Sequence, residues 1–368
     1  MKKSFKYRIE ANAQTVQNAI TWLDLCRSLY NAALEQRITT YRHNHKSISR
    51  YDQIKELPSL KEALPEYKAV GSQCLQEVIE RLDKSYQAFF RRVKNGDKPG
   101  FPRFKGRNRY DSFTLKQTGW NLDGKYLTIR NIGRFKIRLS RPIEGDIKTI
   151  TMRRSAANKW FVVFSCDNVT DKPLSPTGKS VGIDVGCNPF LTTSDNVKIG
   201  NPRFFKKAQA QLAMRQQRLS RRVKGSRRRE KARVLVAKAH EKIFNQRRDF
   251  HFKTANWLVR NYDTIFIEGM NAWNSTTALN RSMRDVAWFG FFGILYFKAE
   301  EAGRKVREKP SKGTSQLCSG CHHIVPKDLS VHIHSCPFCG LTIDRHLNAA
   351  LNVLGEGQSP QVCPVPCT

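Results

Sequence analysis

Two acidic residues stand at the ends of apolar segments. Asp184 follows residues 181–183, Val-Gly-Ile, and Glu268 follows residues 264–267, Thr-Ile-Phe-Ile. Burying a charge there is unfavourable unless an opposite charge meets it. If the two segments are neighbouring strands, the acids repel each other, and two Mg²⁺ ions about 3.5–4 Å apart would remove that conflict and could activate water against a phosphodiester. Hard carboxylate oxygens suit Mg²⁺ and also Mn²⁺.

A third acidic ligand would complete such a site, and Asp344 is a candidate. It lies just before a predicted helix at residues 348–354. Each acid taken alone is also compatible with an ordinary turn at the end of a strand. The presence of all three acids in one α/β domain is what indicates a catalytic site for divalent cations.

Four cysteines form two closely spaced pairs. Cys318 and Cys321 make one Cys-x₂-Cys pair, Cys336 and Cys339 make another, and fourteen residues separate the pairs. Four thiolates at this spacing bind Zn²⁺ tetrahedrally, and such a site is structural because no position remains for water. The alternative is a set of unpaired thiols. The spacing predicts a zinc-binding element.

The chain is strongly basic, with 65 Lys and Arg against 31 Asp and Glu among 368 residues. A net charge of +34 disfavours the compact state unless a polyanion neutralises it. The basic residues are spread along the chain and interleaved with aromatic residues, as a long nucleic-acid channel requires. The alternative is a soluble basic protein without such a partner. A hydrophobic content of 39% indicates a folded chain.

Two basic segments are the candidates for nucleic-acid contacts. In residues 98–116, cations alternate with aromatic residues, which can stack on unpaired bases while the cations hold phosphates. Residues 203–253 hold eighteen Lys and Arg against three acids. Like charges on successive turns destabilise an isolated helix, and a bound phosphate backbone would relieve that repulsion. We therefore favour nucleic-acid binding over the alternative, a helical face exposed only to solvent. The candidate residues are Arg103, Lys105, Arg107, Arg109, Arg221, Arg222, Arg227, Arg228, Arg247 and Arg248.

Hydrophobic periodicity divides the chain into two parts. Residues 1–12 alternate as a strand, a helical period follows to about residue 93, and short β-prone segments occupy residues 112–166. This pattern predicts a β-barrel whose strands flank a helical insertion. Apolar positions from Leu75 to Val93, Phe90 among them, are predicted to form one buried helical face. From residue 180 onward, strands interrupted by helices indicate α/β layers.

No secretory signal or membrane segment is predicted. The basic start of the sequence is not followed by an apolar run. The longest apolar stretch, residues 286–297, is too short to cross a bilayer and predicts a buried helix and no membrane partner. We therefore expect a cytoplasmic location, where cysteines serve as metal ligands or core residues.

Taken in order, these motifs resemble those of one known family. VGIDVG, IFIEGMN, TSQLCSGC, CPFCG and DRHLNAALN stand in the order found in the TnpB proteins of bacterial insertion sequences, relatives of the compact type V CRISPR nucleases. FKYRIEAN at the start and GFPRFKGR after the first helices also resemble the family. The resemblance extends over nearly the whole chain, and the ordered set of motifs is highly specific.

The resemblance implies a multidomain α+β and α/β architecture. A wedge β-barrel would carry a helical recognition insert, and a linker would lead to a RuvC-like nuclease domain of the RNase H fold with an inserted zinc element. The implied bounds are 1–12 and 96–172 for the wedge barrel, 13–95 for the recognition insert, 173–179 for the linker, 180–310 and 341–354 for the RuvC-like domain, 311–340 for the zinc element and 355–368 for a disordered tail.

The resemblance also implies a function and its cofactors. An RNA made from the transposon's end would guide cleavage of double-stranded DNA beside a short motif, with Mg²⁺ (or Mn²⁺) and Zn²⁺ bound. By position, Asp184 is the first RuvC acid, Glu268 is the second, and the four paired cysteines are the zinc ligands. The expected partners are the guide RNA and target DNA, with the transposase of the same element as a candidate functional partner. The expected location is the bacterial nucleoid.

The sequence departs from the family at the third acid. The common form is Asp-Arg-Asp-x-Asn-Ala-Ala, in which the acid two residues before the Asn usually carries the metal. Here His346 occupies that position, and Asp344 is the acid that remains. Three alternatives are open. Asp344 could reach the metal, or His346 could act on a water or bind the metal as a softer ligand. In the third alternative, cleavage is impaired and guided binding remains. We expect an active site that uses Asp344.

Three functions remain open from the sequence. The leading hypothesis is an RNA-guided, metal-dependent DNA endonuclease with a RuvC-like site. The second is a nuclease-impaired, RNA-guided DNA-binding repressor, which His346 suggests. The third is a transposase that joins DNA ends with the same fold. The resemblance favours the first of these over the third.

Nucleic-acid binding by this chain should depend steeply on salt, because its basic segments would neutralise phosphates. Contacts to about six to ten phosphates would lower the affinity roughly 10³–10⁵-fold between about 50 and 200 mM salt. Fluorescence anisotropy with labelled RNA across that range measures the slope. An affinity that does not change with salt would contradict the role given to both basic segments.

Overall fold

A computed structural model describes residues 1–107, 109–269, 283, 285–309, 313–328 and 331–355. The chain divides into two compact units, Met1–Thr170 and Asp171–Thr368. Both units combine helices with a β-sheet, which confirms the predicted mixed α/β architecture. None of the helices in the described ranges is long and apolar enough to cross a membrane. The tail predicted to be disordered lies outside the described residues from residue 356 onward.

The first unit places a group of helices between its first strand and its other strands. Helix α1 begins where the side chain of Asn12 accepts a hydrogen bond from the Thr15 N–H at 2.7 Å, an N-cap that satisfies one free donor of the first turn. The elements are β1 (Lys3–Glu10), α1 (Ala13–Asn44), α2 (Arg50–Lys55), α3 (Leu57–Ala63), a 3₁₀ turn (Pro65–Ala69), α4 (Ser72–Lys94), β2 (Ser112–Leu115), β3 (Trp120–Asp123), β4 (Tyr126–Ile129), β5 (Gly133–Arg138), β6 (Asp146–Arg154) and β7 (Trp160–Asp167).

One antiparallel sheet joins the strands of the first unit in the order β2-β6-β7-β1-β5-β4-β3. Strand β1 lies at its centre, where Phe5 pairs with Phe164 of β7 and Ile9 pairs with Ile137 of β5. Phe5, Tyr7 and Ile9 are buried and alternate with more exposed residues, as a strand with one covered face requires. The helices between β1 and β2 are therefore an insertion between two strands of the same sheet.

Helix α4 buries only the earlier part of its apolar face. Leu75 is fully buried, whereas Phe90 is 56% exposed and Val93 is 50% exposed. The prediction that the buried face continues to Val93 is wrong for these two residues. At this end of the helix the aromatic rings pack against the following loop, where the Phe89 and Phe101 ring centroids lie 5.3 Å apart. The helical periodicity therefore extends beyond the part of the face that the described residues of the first unit bury.

The second unit is built on a five-stranded sheet in the order β10-β9-β8-β11-β12. Strands β8, β11 and β12 are parallel, and β9 and β10 are antiparallel to their neighbours. Val181, Ile183 and Ile265 are at most 1% exposed, as expected for parallel strands covered on both faces. The elements described are β8 (Ser180–Val185), β9 (Leu191–Thr193), β10 (Lys198–Ile199), α5 (Phe204–Ser220), α6 (Arg227–Asn261), β11 (Thr264–Glu268), α7 (Trp288–Ala302), β12 (Lys305–Lys309), a hairpin of β13 (Ile333–Ser335) and β14 (Thr342–Asp344), and α8 (Arg345–Gly355).

A partly buried ion pair fixes the segment that leads into β8. The guanidinium of Arg304, a side chain only 4% exposed, lies 2.5 Å from the carboxylate of Asp263. That carboxylate also accepts hydrogen bonds from the backbone N–H of Thr177 at 2.9 Å and of Gly178 at 2.7 Å. Residues 173–179, for which a linker is expected, are therefore tied to the second unit.

Helix α8 packs directly on β8 at Gly182, where there is no room for a side chain. A Cβ atom at this position would lie 2.2 Å from the carbonyl oxygen of Ala350 and 2.6 Å from the backbone nitrogen of Leu354. Because glycine lacks that atom, the helix backbone can rest on the strand backbone. This contact fixes α8 beside Asp184, two residues further along β8.

Gly182→Ala should destabilise the second unit by about 3 kcal/mol, because the added methyl group meets backbone atoms that cannot turn away. The control is Gly200→Ala, where the new Cβ would find no atom within 4 Å and the change should stay within about 0.5 kcal/mol. Denaturant unfolding measures both. Equal free energies of unfolding for the two variants would contradict the close packing of α8 on β8.

Candidate functional site

The two strand-end acids lie next to each other across neighbouring strands. Strands β8 and β11 pair in parallel with Ile183 opposite Ile267, so Asp184 and Glu268 follow in the same register at the carboxyl edge. Burial raises the pKa of Glu268, and the negative charge of Asp184 acts in the same direction. The hydroxyl of Thr314 opposes this by donating a hydrogen bond to Glu268 Oε1 at 2.8 Å.

His346 contacts the first of these acids. Its Nδ1 lies 2.7 Å from Asp184 Oδ2, and the two side chains are 12% and 13% exposed. In the neutral imidazole Nδ1–H donates this bond, which leaves the lone pair of Nε2 free to accept. Nε2 is buried and has no hydrogen-bond partner among the described residues. A buried nitrogen held in this way is typical of a metal-ligating histidine.

Asp344 is engaged in a different set of contacts. One carboxylate oxygen accepts a hydrogen bond from Lys198 Nζ at 2.8 Å, and the other accepts from the backbone N–H of His346 at 2.8 Å and of Leu347 at 3.2 Å. Asp344 is therefore the N-cap of α8. Burial acts to raise the pKa of Asp344, but these hydrogen bonds and the charge of Lys198 outweigh it and lower the pKa.

The four paired cysteines converge on one point. Their sulfur atoms all lie within 4.8 Å of one another. Cys318 and Cys339 are 3.6 Å apart, and Cys321 and Cys336 are 3.5 Å apart. A tetrahedron with Zn–S bonds of about 2.3 Å places sulfurs about 3.8 Å apart, so the arrangement fits zinc. It is also the one such group of His, Cys, Asp or Glu found within the described part of the chain.

One thiol of this group is prepared to ionise. Burial acts to raise the pKa of Cys336, but the backbone N–H groups of Cys339 and Phe338 and the neighbouring thiols together lower it to about 6. Metal binding requires thiolates, and a lowered thiol pKa suits a metal ligand.

Most of the basic residues singled out from the sequence lie on the surface. Lys105 and Arg222 are half-buried, and Lys105 Nζ lies 5.4 Å from the centroid of the Tyr30 ring. Arg247 is also half-buried and pairs with Asp285 at 3.2 Å, an acid that accepts a hydrogen bond from the Phe205 N–H at the start of α5. The exposed residues are Arg103, Arg107, Arg109, Arg221, Arg227, Arg228 and Arg248.

Sequence reasoning did not identify Thr314 or Lys198. Both side chains bond to an acid of the site. Lys198 stands outside the motifs, whereas Thr314 is the first residue of TSQLCSGC, a motif that attracted attention only for its cysteines. Asn348 stands inside the motif that contains His346, and its buried amide bonds to the loop that carries Cys318. Its position in the motif was the one available signal.

Three family models match the chain. A model described as "Probable transposase" (OrfB of IS605) matches residues 163–278, one described as "Cas12f1-like, TNB domain" matches residues 288–353, and one described as "Helix-turn-helix domain" (of OrfB of IS605) matches residues 1–46. The "Probable transposase" match includes both Asp184 and Glu268.

Two curated relatives match nearly the whole chain, and others match part of it. A protein of Streptomyces pristinaespiralis named "Putative RNA-guided DNA endonuclease" is 32% identical over 99% of this chain and 91% of its own length. The chain belongs to the TnpB family. A second TnpB relative, "Putative RNA-guided DNA endonuclease InsQ" of Escherichia coli, is 28% identical over 98% of this chain and 94% of its own length. "TnpB-like protein L79" of Acanthamoeba polyphaga mimivirus is 27% identical over 61% of this chain and 46% of its own length.

Solved structures align with this TnpB chain at low similarity. "Cryo-EM structure of CasPhi-2 (Cas12j) bound to crRNA" aligns over 100% of this chain and 99% of that one, with 9% identity and a TM-score of 0.49. "Cryo-EM structure of the Cas12f1-sgRNA-target DNA complex" aligns over 96% and 98%, with 15% identity and a TM-score of 0.37.

The purified chain should contain about one zinc ion, and Cys339→Ser should lower that content severalfold, because three thiolates hold zinc less tightly than four. Elemental analysis after dialysis against a weak chelator measures it. The control is Cys187→Ser, a half-buried cysteine outside the group, which should keep the zinc of the parent chain. Equal zinc in the parent chain and in Cys339→Ser would contradict the assignment.

Proposed function

We propose that this TnpB chain is an RNA-guided DNA endonuclease whose hydrolytic site contains Asp184, Glu268 and His346. The observation that carries the proposal is the juxtaposition of two acids at the ends of paired parallel strands, with an imidazole against the first acid. The two relatives that match nearly the full length are both named as RNA-guided DNA endonucleases, which supports the same function.

The finer architecture is part of this proposal. The sheet of the first unit is the wedge barrel, at 1–12 and 96–172, and the helices inserted after β1 are the recognition insert. The second unit is the RuvC-like domain with the zinc element inserted before α8. The insertion of the helices between two strands of one sheet supports the first assignment, and the parallel strands β8, β11 and β12 support the second.

The residues at the acidic site fit a divalent cation. Two carboxylates in register supply the hard oxygens that Mg²⁺ and Mn²⁺ prefer, and a buried imidazole nitrogen with no partner in the described part of the chain adds a softer donor. Among the described residues, only the four sulfurs already meet closely enough to hold an ion, so an ion at the acidic site would draw these three donors together. Asp184, Glu268 and His346 Nε2 would hold it. A cation bound there would supply Lewis-acid stabilisation of the charge that develops at a phosphodiester under attack.

The side chains around the site keep these donors in place. Asp184 orients the imidazole by accepting a hydrogen bond from Nδ1–H of His346. This bond favours the tautomer in which Nε2 carries no proton and can bind a cation. Thr314 holds Glu268, whose raised pKa reflects burial beside a second negative charge. Lys198 neutralises Asp344, the N-cap of the helix on which His346 lies. These contacts support the proposal that Asp344 acts through the helix and that His346 supplies the third ligand.

The nucleic-acid partners follow from charge and from the relatives. Exposed arginines of both units, Arg103 and Arg107 in the first and Arg227 and Arg228 in the second, would hold the phosphates of a guide RNA and of its duplex with target DNA. Pairing between guide and target would select the sequence, and the protein would read duplex shape and a short adjacent motif.

Variants at four positions test the site. With copurified guide RNA, a matching DNA target and Mg²⁺ or Mn²⁺, Asp184→Asn, Glu268→Gln and His346→Ala should each slow cleavage more than about 100-fold, because residues outside the ligand shell already cost about 10–100-fold. Asp344→Asn is the matched control and should stay within about tenfold of the parent, since Asn is also a good N-cap. His346→Asp should retain cleavage, because a carboxylate also binds these ions.

Two outcomes would overturn the proposal. If Asp344→Asn abolishes cleavage and His346→Ala does not, Asp344 is the third ligand. If the parent chain binds the guided target tightly and never cuts it with either ion, the chain is a guided DNA-binding repressor. Target binding by Asp184→Asn at the affinity of the parent chain would show that its loss of cleavage is not a loss of folding.

A further inference from the structure

A single hydroxyl links the second acid to the zinc element. Thr314 is 2% exposed, and its Oγ1 donates to Glu268 Oε1 at 2.8 Å. It lies on the segment 313–319, which leads directly into the first zinc-ligand pair at Cys318. The hydroxyl of Thr314 is thus occupied by the carboxylate of Glu268, so its role is to hold that carboxylate and not to bind a metal itself.

Two buried amides of α8 hold that segment. Asn352 Nδ2 donates to the carbonyl oxygens of Thr314 at 2.8 Å and Leu317 at 2.7 Å. Asn348, one helical turn earlier, donates to the same Leu317 carbonyl at 2.7 Å and accepts from the Ser319 N–H at 2.9 Å. Asn348 is 0% exposed and Asn352 is 3% exposed, so these bonds form without competition from water.

The segment is thus held on two sides. At its end, Cys318 contributes a sulfur to the four-cysteine group, and the Cys318 N–H donates to the His323 carbonyl at 2.9 Å. Along its length, α8 holds it through the two amides, and the same helix carries His346, which contacts Asp184. Zinc ligation and the acidic site therefore share one hydrogen-bonded framework.

We infer that Thr314 is a positioning residue for Glu268, and that zinc bound by the four cysteines, acting through segment 313–319, sets the affinity of the acidic site for divalent cations. This inference rests on the proposed function, since it concerns the same cation site. Without zinc, Cys318 loses its sulfur anchor, and the segment is held only by the amides of α8 and by backbone bonds such as that from the Cys318 N–H to the His323 carbonyl. Glu268 then loses its hydroxyl donor and is repelled by Asp184.

Mn²⁺ binding to the zinc-loaded, full-length chain tests the inference without any cleavage assay. Mn²⁺ does not compete with zinc for four thiolates, and its electron paramagnetic resonance signal reports the free ion. Thr314→Val keeps the buried shape and removes the hydroxyl, so Mn²⁺ should bind about tenfold more weakly with zinc content unchanged. The control is Thr254→Val, the same change at another buried threonine of the second unit, on α6.

A zinc-ligand variant tests the connection at its other end. Cys339→Ser lies far along the chain from Thr314, and its loss of zinc should weaken Mn²⁺ binding by a similar factor. Hydrogen exchange should also become faster for the amides of residues 313–319. Were this variant to misfold, Asn352→Ala would serve in its place, because it loosens the same segment from α8 and should speed the same exchange.

The outcomes separate this inference from the proposed function. Asp184→Asn should remove Mn²⁺ binding, and if the parent chain binds no Mn²⁺ or Asp184→Asn binds it equally well, the proposed cation site itself is wrong. If Asp184→Asn loses the ion while Thr314→Val binds it as the parent does, the site stands and the positioning role of Thr314 is rejected. Unchanged Mn²⁺ affinity in a folded chain that has lost zinc rejects the coupling.

Discussion

Two carboxylates at the ends of adjacent parallel strands repel each other, and the arrangement of the residues around them in the second unit must compensate for this repulsion. Asp184 and Glu268 are adjacent in register and partly buried, which raises the pKa of Glu268. Each acid of the region has its own partner: His346 for Asp184, Thr314 for Glu268 and Lys198 for Asp344. These partners hold the carboxylates in place, and a bound cation would remove the remaining repulsion.

Helix α8 connects the parts of this arrangement. It rests on β8 at Gly182, begins with Asp344 as its N-cap, and carries His346 to Asp184 within its first turn. On the same helix, Asn348 and Asn352 bind the segment that leads to the zinc ligands. One short helix therefore contacts both the strand that bears Asp184 and the loop that holds Glu268 and leads to the zinc element.

The sequence predicts the parts of the site that are set by type and spacing. The two acids follow apolar strands, and the four cysteines stand at zinc spacing, so both groups can be read directly. Whether Asp344 or His346 meets Asp184 depends on where the helix begins, which spacing alone does not determine. Thr314 reaches Glu268 only through tertiary packing, and Phe90 keeps the helical period although its side chain is 56% exposed among the described residues.

The most direct test of the central claim is a crystal structure of the chain with Mn²⁺, in which anomalous scattering identifies the ion. We expect an anomalous peak in contact with Asp184, Glu268 and Nε2 of His346, with Asp344 still bonded to Lys198. A peak held by Asp344 with His346 turned away would contradict the account. So would the absence of any peak between Asp184 and Glu268 at saturating Mn²⁺.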